Sequence, residues 1–350
     1  MPALDTFGRP LRTLRVSVTD RCNLRCLYCM PEAEYVWLPR ADLLSFEEID
    51  RLVGVFLTEG VARVRLTGGE PLLRRDLAGL VARLARHPQL TEQALTTNGV
   101  HLAAAAAGLR DAGLDRVTVS LDTLRGDRFE RLSRSRDLPS VLAGIDAAVA
   151  AFGSVKLDTV VIRGENDDEL VDLTRYAAGV GAEIRFIEYM DVGGATGWSA
   201  SRVVPRDEIL GRLASAFGPL RPIGRPDAAP ASRYALPLPS GAGDGRAEAG
   251  QVVGVIASTT DPFCADCDRA RLTADGQLFT CLYATRGLDL RGPLRAGATD
   301  ADLGALIRGV WQSRRDRGAE ARLAVADRTS FVPRAALKAA PHLEMHTRGG

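Results

Sequence analysis

Six short runs rich in β-branched residues alternate with helical patterns between Leu11 and about Met190, and that alternation leaves few folds open. The runs are Leu14–Val18, Arg63–Thr67, Ala94–Thr97, Arg116–Leu121, Lys156–Ile162 and Glu183–Ile187. Strands separated by helix-length segments are joined by crossovers rather than hairpins, which sets them side by side in a parallel sheet. Six such units predict an α/β fold, an incomplete (βα)6 TIM-type barrel. The clearest intervening helix covers Ser45–Gly60, with Ser45 and Glu48 forming a capping box and Gly60 supplying the stop. In α/β barrels the turns after the strands carry function, and here those turns hold the unusual residues.

After Met190 the pattern changes to Asp191-Val192-Gly193-Gly194, a helix from about Arg206 to Phe217, and a Pro/Gly/Ala-rich stretch from Gly224 to Gly250. Residues 227–250 contain few large apolar side chains and are expected to form a mobile surface loop. Strand-like Val252–Ala257 follows, then an Ala/Leu helix over about Asp300–Ser313 and a polar last ten residues. The expected division is an N-terminal arm (1–10), the barrel (11–220), a flexible loop (221–250), a C-terminal region (251–340) and a tail (341–350). At 350 residues the chain exceeds the ~250–300 at which a single core stops growing, so one large unit plus an addition is expected.

A net charge of +1 with 25% charged residues gives no reason to expect nucleic acid or a membrane surface as a bulk partner, so an anionic ligand would be held by local arginines. The start, Met1-Pro2-Ala3-Leu4-Asp5, lacks the features of a signal peptide, and no stretch approaches ~18 uninterrupted apolar residues. A soluble cytoplasmic protein is therefore expected. In that reducing compartment the six cysteines are ligands or catalysts rather than disulfides.

The cysteines divide into two triplets. Cys22, Cys26 and Cys29 form C-x3-C-x2-C after the first strand, a spacing that places three thiolates on one iron-sulfur cluster and leaves one iron open. Four thiolates would close the cluster into an electron carrier; three leave a position for a substrate. The spacing and the aromatic Tyr28 weigh against a partial zinc or disulfide site. Cys264, Cys267 and Cys281 form C-x2-C-x13-C, again three ligands, and none of the histidines (His87, His101, His342, His346) lies near enough in sequence to complete a zinc site. A second cluster with an open iron is the reading favoured over zinc. Arg269-Ala270-Arg271 sits between these cysteines, either as a solvated basic pair or as a clamp for an anion.

The first triplet resembles the signature of the radical S-adenosylmethionine (SAM) superfamily. Gly68-Gly69-Glu70-Pro71, one βα unit later, is similar to that superfamily's Gly-Gly-Glu turn, which meets the SAM amino group. Thr96-Thr97-Asn98-Gly99 and Ser120-Leu121-Asp122 follow the third and fourth strands in matching register. The resemblance implies two [4Fe-4S] clusters if both triplets are ligands, with SAM bound to the first and cleaved to a 5'-deoxyadenosyl radical in a closed pocket.

Over nearly the whole chain the sequence resembles one family, MoaA, the GTP 3',8-cyclases of molybdenum cofactor biosynthesis. The likeness runs from Phe7-Gly8-Arg9-Pro10 and Leu14-Arg15-Val16-Ser17 through Phe186-Ile187-Glu188 to Arg271-Leu272-Thr273-Ala274-Asp275-Gly276 and the terminal Gly349-Gly350. It implies that Cys22, Cys26 and Cys29 hold the SAM cluster and Cys264, Cys267 and Cys281 a substrate cluster. By the same resemblance Tyr28, Gly69, Ser120 and Met190 contact SAM. Arg15, Arg65, Thr96, Lys156 and the segment Arg269, Ala270, Arg271 contact GTP. Arg269, Arg271, Gly349 and Gly350 are the implied catalytic positions, the double glycine reaching a site where no side chain fits.

The implied partners are GTP, an electron donor such as a flavodoxin or ferredoxin, and the downstream cyclic pyranopterin monophosphate synthase; a homodimer is compatible. Arg348, Asp268 and Asp158 depart from the family's usual residues. Taken without the resemblance, Arg15, Arg65 and Lys156 could be solvated strand residues and Met190 core filling. Two other readings compete: a radical SAM peptide or small-molecule maturase, whose auxiliary region carries more cysteines, and a non-catalytic electron carrier or zinc scaffold.

Overall fold

The computed structural model describes residues 2–349 apart from 33, 193–196, 226–227, 238–250, 334–335 and 338–339. Gly193, Gly194, Gly350 and most of the expected 227–250 loop lie outside the described residues.

Six strands appear where the alternation places them: β1 (Thr13–Ser17), β2 (Arg63–Thr67), β3 (Glu92–Thr97), β4 (Arg116–Ser120), β5 (Lys156–Val161) and β6 (Glu183–Glu188). All pair in parallel and in chain order. Helices α1 (Phe46–Thr58), α2 (Leu77–Leu84), α3 (Leu102–Asp111), α4 (Gly126–Ser133), α5 (Leu138–Phe152) and α6 (Leu170–Gly179) form the crossovers, and α7 (Arg206–Phe217) follows β6.

Helix α1 shows why these segments fold locally. Its capping box is formed, Glu48 N donating to Ser45 Oγ at 3.1 Å and Ser45 N to Glu48 Oε2 at 2.7 Å. Ile49, Leu52, Val53 and Phe56, spaced for one helical face, are fully buried against the sheet. Each such side chain contributes roughly 1.5–3 kcal/mol through the area it removes from water.

The strands have two unlike faces. Leu14, Val16, Val64, Leu66, Leu95, Val117, Val119, Leu157, Ile184 and Phe186 point outward into the apolar layer under the helices. The alternate positions Thr13, Arg15, Arg63, Arg65, Thr96, Thr118, Ser120, Lys156, Asp158 and Arg185 point inward and line a cavity of about 430 Å³. TIM barrels usually fill their interior with bulky aliphatic side chains; this one is charged and hollow. Arg15 on β1 and Asp158 on β5, strands far apart in sheet order, act on each other's ionisation across the lumen, as a curled sheet requires.

The C-terminal region extends the barrel at both edges. β9 (Gln251–Ile256) adds in parallel to β6, and β10 (Arg269–Leu272) adds in parallel to β1. With β1–β6 this makes eight parallel strands. β11 (Gln277–Phe279) and β12 (Leu288–Asp289) continue antiparallel beyond β10; β8 (Ser232–Leu236) and β7 (Arg221–Gly224) continue antiparallel beyond β9. Among the described residues β9 and β10 share no ladder, so a seam stays open between them.

Residues 257–268 cross that seam from top to bottom. At its start, the amides of Thr259 and Thr260 donate to the Glu188 carboxylate at the end of β6. At its finish, the Asp268 carbonyl accepts from the amides of Arg12 and Thr13 at the start of β1. The C-terminal region thus covers the open side of the barrel laterally.

One expectation is corrected. Ser232–Leu236, inside the stretch read as a mobile loop, is a strand: it covers the outer edge of β9, buries Leu236, and ties Arg233 to Glu183. The polar tail packs inward: His346, Thr347 and Arg348 are buried. Helices α8 (Arg291–Arg295), α9 (Asp300–Gln312) and α10 (Gly318–Leu323) complete the described helices. None of the described helices is long and apolar enough to cross a membrane.

Candidate active site

The two cysteine groups occupy different levels of one cavity. Cys22, Cys26 and Cys29 lie on the loop beyond the C-terminal end of β1; Cys264 and Cys267 lie on the seam segment just before β10, and Cys281 just after its antiparallel partner β11. All six are free thiols and all line the cavity.

The upper loop is shaped by the turn after β2. Gly69 N and Glu70 N donate to the carbonyls of Thr19 and Arg21 at 2.9 and 2.8 Å. A Cβ on Gly68 or Gly69 would overlap those same carbonyls, and Gly68 has φ +154°. The two glycines are therefore required by contact with the cysteine loop, with Gly69 also on the cavity wall.

Glu70 is fully buried off the cavity lining; its carboxylate accepts from Leu72 N, Thr97 Oγ1 and Asn98 N. Burial pushes it up to about 7 although those three bonds favour the charged form. It thus fixes the β2 turn to the β3 turn, and Asn98 in turn reaches Asn23 Oδ1 at 2.9 Å beside the cysteines. Tyr28 OH donates to Asp122 Oδ2 at 2.8 Å, tying the cysteine loop to the end of β4. Burial raises Asp122 to about 6.

The upper cysteines are half-buried, and desolvation raises Cys22 to about 11 and lifts Cys26 and Cys29 well above the ordinary thiol value, Cys26 also through Asp122, Cys22 and Cys29. Among the described residues no three His, Cys, Asp or Glu side chains converge as the ligands of a single ion would. Three free thiols on one loop of the cavity wall are the donor set that an iron-sulfur cluster takes. In the lower group Arg269 Nη2 lies 3.5 Å from Cys267 Sγ. Burial raises Cys267, but Arg269 and then Arg314 outweigh it and hold the thiol at about 6. Cys264 is raised by burial.

Between the two levels stands a belt of cations. Arg15 is paired in register with Arg65 on one side and with Arg271 on the other. Arg65 Nη1 donates to Thr96 Oγ1 and Thr118 Oγ1, each at 3.1 Å. Lys156 lines the wall below Asp158, and burial, then Arg185, lowers it to about 8. Burial lowers Arg15, and Arg271 to about 10, each further opposed by neighbouring arginines. So many cations in one water-poor lumen are costly without an anion.

The tail enters this belt. The Gly349 carbonyl accepts from Arg15 Nη1 at 2.7 Å and Arg271 Nη1 at 2.8 Å. Gly349 has φ +62°, and a Cβ there would overlap Thr67 Cγ2. Arg348, buried to 2%, donates to the carbonyls of His342, Leu282 and Ala284 and stacks 4.3 Å over Phe279. The departure at Arg348 is thus a polar anchor for the tail.

Every sequence-predicted SAM and GTP contact lines the cavity except Ala270, whose side chain packs in the apolar core with only its neighbours Arg269 and Arg271 facing inward. Gly350 lies outside the described residues. Sequence reading missed Arg185, which stands beside Asp158 in register on β6. Its parity with Glu183 and Ile187 on an alternating strand was the available signal. Asp158, noted before only as a departure, is a half-buried carboxylate facing Arg185, Arg65, Arg15 and Lys156, with its buried Oδ1 making no hydrogen bond among the described residues.

Comparison with known proteins follows this geometry. Residues 16–177 match the family described as Radical SAM superfamily, and residues 182–320 the family Molybdenum Cofactor Synthesis C. GTP 3',8-cyclase 3 of Mycobacterium bovis is 52% identical over 354 residues, covering 100% of this chain and 91% of that protein. GTP 3',8-cyclase of Acidothermus cellulolyticus is 50% identical, covering 93% and 90%, and that of Aquifex aeolicus 43%, covering 91% and 94%. Among solved structures, Streptococcus suis SuiB bound to S-adenosylmethionine superposes with a TM-score of 0.55 at 14% identity over 91% of this chain and 71% of that one, a likeness of fold alone.

Proposed function

The chain belongs to the GTP 3',8-cyclase family, and from that premise we propose that it converts GTP to (8S)-3',8-cyclo-7,8-dihydroguanosine 5'-triphosphate in molybdenum cofactor biosynthesis. The observation that carries the reading is a single cation-belted cavity with three free thiols at each of two levels. Cys22, Cys26 and Cys29 would hold one [4Fe-4S] cluster, and Cys264, Cys267 and Cys281 the other. The upper cluster, when reduced and bound to SAM, supplies the electron that cleaves SAM to the radical initiating cyclisation.

The chain's own residues do the rest. Tyr28, Gly69, Ser120 and Met190 surround the upper level, where SAM binds. Arg15, Arg65, Lys156, Arg269 and Arg271 hold the triphosphate by charge-assisted hydrogen bonds, with Thr96 fixing the Arg65 fork and the Ala270 backbone setting the spacing of its flanking arginines. Arg269 and Arg271 lie between the lower cysteines and the tail, placed to stabilise charge on the reacting nucleotide. The tail, through Gly349, closes the lumen against water, and Gly350 keeps the catalytic role that the family resemblance implies. Arg15 and Arg271, which grip the Gly349 carbonyl, must share or exchange that contact when GTP enters.

We place the reaction in the cytoplasm, with a flavodoxin- or ferredoxin-type reductant, a cyclic pyranopterin monophosphate synthase taking the product, and a homodimer compatible with the fold. The test is anaerobic incubation of the reconstituted protein with GTP, SAM and a reductant. GTP-dependent 5'-deoxyadenosine together with the cyclised nucleotide is expected. SAM cleavage indifferent to GTP would refute the proposal.

A further inference from the structure

Behind the lower cysteines lies a buried ion cluster that the reading above leaves unused. Arg9, from the Phe7-Gly8-Arg9-Pro10 arm, is 3% exposed. Its Nε donates to Asp5 Oδ2 at 2.6 Å and its Nη1 to the carbonyl of Cys264 at 2.7 Å and of Asp316 at 2.9 Å. Arg314, following α9, donates from Nη1 to the carbonyl of Cys267 at 2.7 Å, and the same atom lies 3.5 Å from Asp5 Oδ2. Its guanidinium stacks 4.5 Å from the Trp311 ring centre, and Trp311 Nε1 donates to the Arg9 carbonyl at 3.1 Å. One carboxylate therefore joins two guanidiniums, and each guanidinium ends on the carbonyl of a different cysteine of the C-x2-C pair.

The arrangement is more than a structural rivet. A buried guanidinium is costly unless its charge and donors are met. Two arginines share the fully buried Asp5 here, and Asp316, 3.9 Å from Arg314 Nε, is partly solvated. Arg9 Nη2 and Arg314 Nε are buried and make no hydrogen bond among the described residues. Arg314 also lies on the cavity wall that the three lower cysteines line, and its charge acts on the Cys267 thiol. Positive charge and spare donors are thus stored where three thiolates and their cluster would bring negative charge and sulfur acceptors.

Resting on the proposed second cluster, we infer that Arg9 and Arg314, joined through Asp5, are positioning residues that preset the Cys264–Cys267 loop and raise that cluster's reduction potential. Hydrogen bonds and charge around the ligands are the protein's levers on such a potential. The N-terminal arm acquires a role by the same argument: it carries half of the clasp.

The test uses full-length protein with Cys22, Cys26 and Cys29 all changed to Ser, so that only the second cluster is loaded. Iron per chain and the midpoint potential, followed by electron paramagnetic resonance, are read for this parent and for Arg314→Gln, Arg314→Lys and Asp5→Asn. Arg314→Gln should lower the potential, Asp5→Asn should raise it, and Arg314→Lys should fall between Arg314→Gln and the parent. Equal potentials throughout, or Arg314→Gln and Asp5→Asn moving the same way, would overturn the inference. Should Arg314→Gln fail to hold iron, Arg314→Lys decides: a loaded cluster near the parent's potential supports the clasp, and equal loss of iron refutes its charge role. A parent that assembles no second cluster overturns the proposed function and the clasp together.

Discussion

Replacing Gly349 by Ala should unseat the C-terminal tail, and a change on the opposite wall should seat it again. Two costs arise in the single variant. Gly349 has φ +62°, a conformation that costs an L-residue with a Cβ ~1–2 kcal/mol. The new methyl would also overlap Thr67 Cγ2, and overpacking a buried site costs ~1–3 kcal/mol. The sum, ~2–5 kcal/mol, is comparable to what holds Gly349 itself in place: two charge-assisted hydrogen bonds from Arg15 and Arg271 to its carbonyl, ~1.5–3 kcal/mol each. Thr67→Ser removes the offending methyl and keeps the hydroxyl. The next atoms a Gly349 methyl would meet are then Ser17 Oγ at 3.3 Å and Thr67 Cβ at 3.4 Å, which small shifts relieve.

Hydrogen exchange over residues 345–349 measures the opening. Gly349→Ala should accelerate it ~30-fold or more, since 1.4 kcal/mol is a factor of ten. The double variant Gly349→Ala/Thr67→Ser should retain only the backbone cost, within ~5–30-fold of the parent. GTP-dependent SAM cleavage should follow the same order. Equal exchange in the single and double variants would refute the steric account, as would a single variant that exchanges like the parent.

Lys156 gives a pH signature: at about 8 its charge is being lost just where an anion needs it, so GTP affinity should fall as pH rises through 8, by up to ~10-fold per unit. Lys156→Arg, which does not titrate there, should flatten that limb in isothermal titration; an unchanged limb would exclude Lys156. Cys281→Ala should halve the iron of the reconstituted protein, from about eight to about four per chain, while SAM binding to the remaining cluster persists; loss of both clusters would argue against independent sites. Arg348→Ala strands the carbonyls of His342, Leu282 and Ala284, each worth ~1–3 kcal/mol when left unmet, so tail exchange should quicken without loss of either cluster.

What could be read from the chain was what obeys a local period. Strand β2 falls on Arg63–Thr67 as read, and α1 keeps its Ser45–Glu48 box, because alternation and capping are decided within a few residues. Both cysteine groups were legible from spacing alone. What escaped was set by contacts far apart in the chain. Nothing near Ser232–Leu236 announces a strand; its ladder to β9 decides it. The tail reads as polar, yet Arg348 is buried because carbonyls after β11 await it. The glycines after β2 read as meeting a ligand; that the cysteine loop's own carbonyls also require them is a contact the sequence does not show.

The seam between β9 and β10 bears on how the chain is made. Thr13 meets Asp268 across a separation of 255 residues, so the first strand emerges long before its outer neighbour exists. At ~5–20 residues per second on the ribosome, β1 presents an unpaired edge for tens of seconds, and β6, whose neighbour β9 follows much sooner, for roughly 3–14 seconds. Such edges are templates for pairing with other chains. The last strands therefore act as a late seal on a vulnerable intermediate. The same segment delivers the Cys264 and Cys267 ligands, so a chain cannot complete its barrel without also building the lower site, and synthesis stopped short of that segment leaves an aggregation-prone half rather than a smaller enzyme.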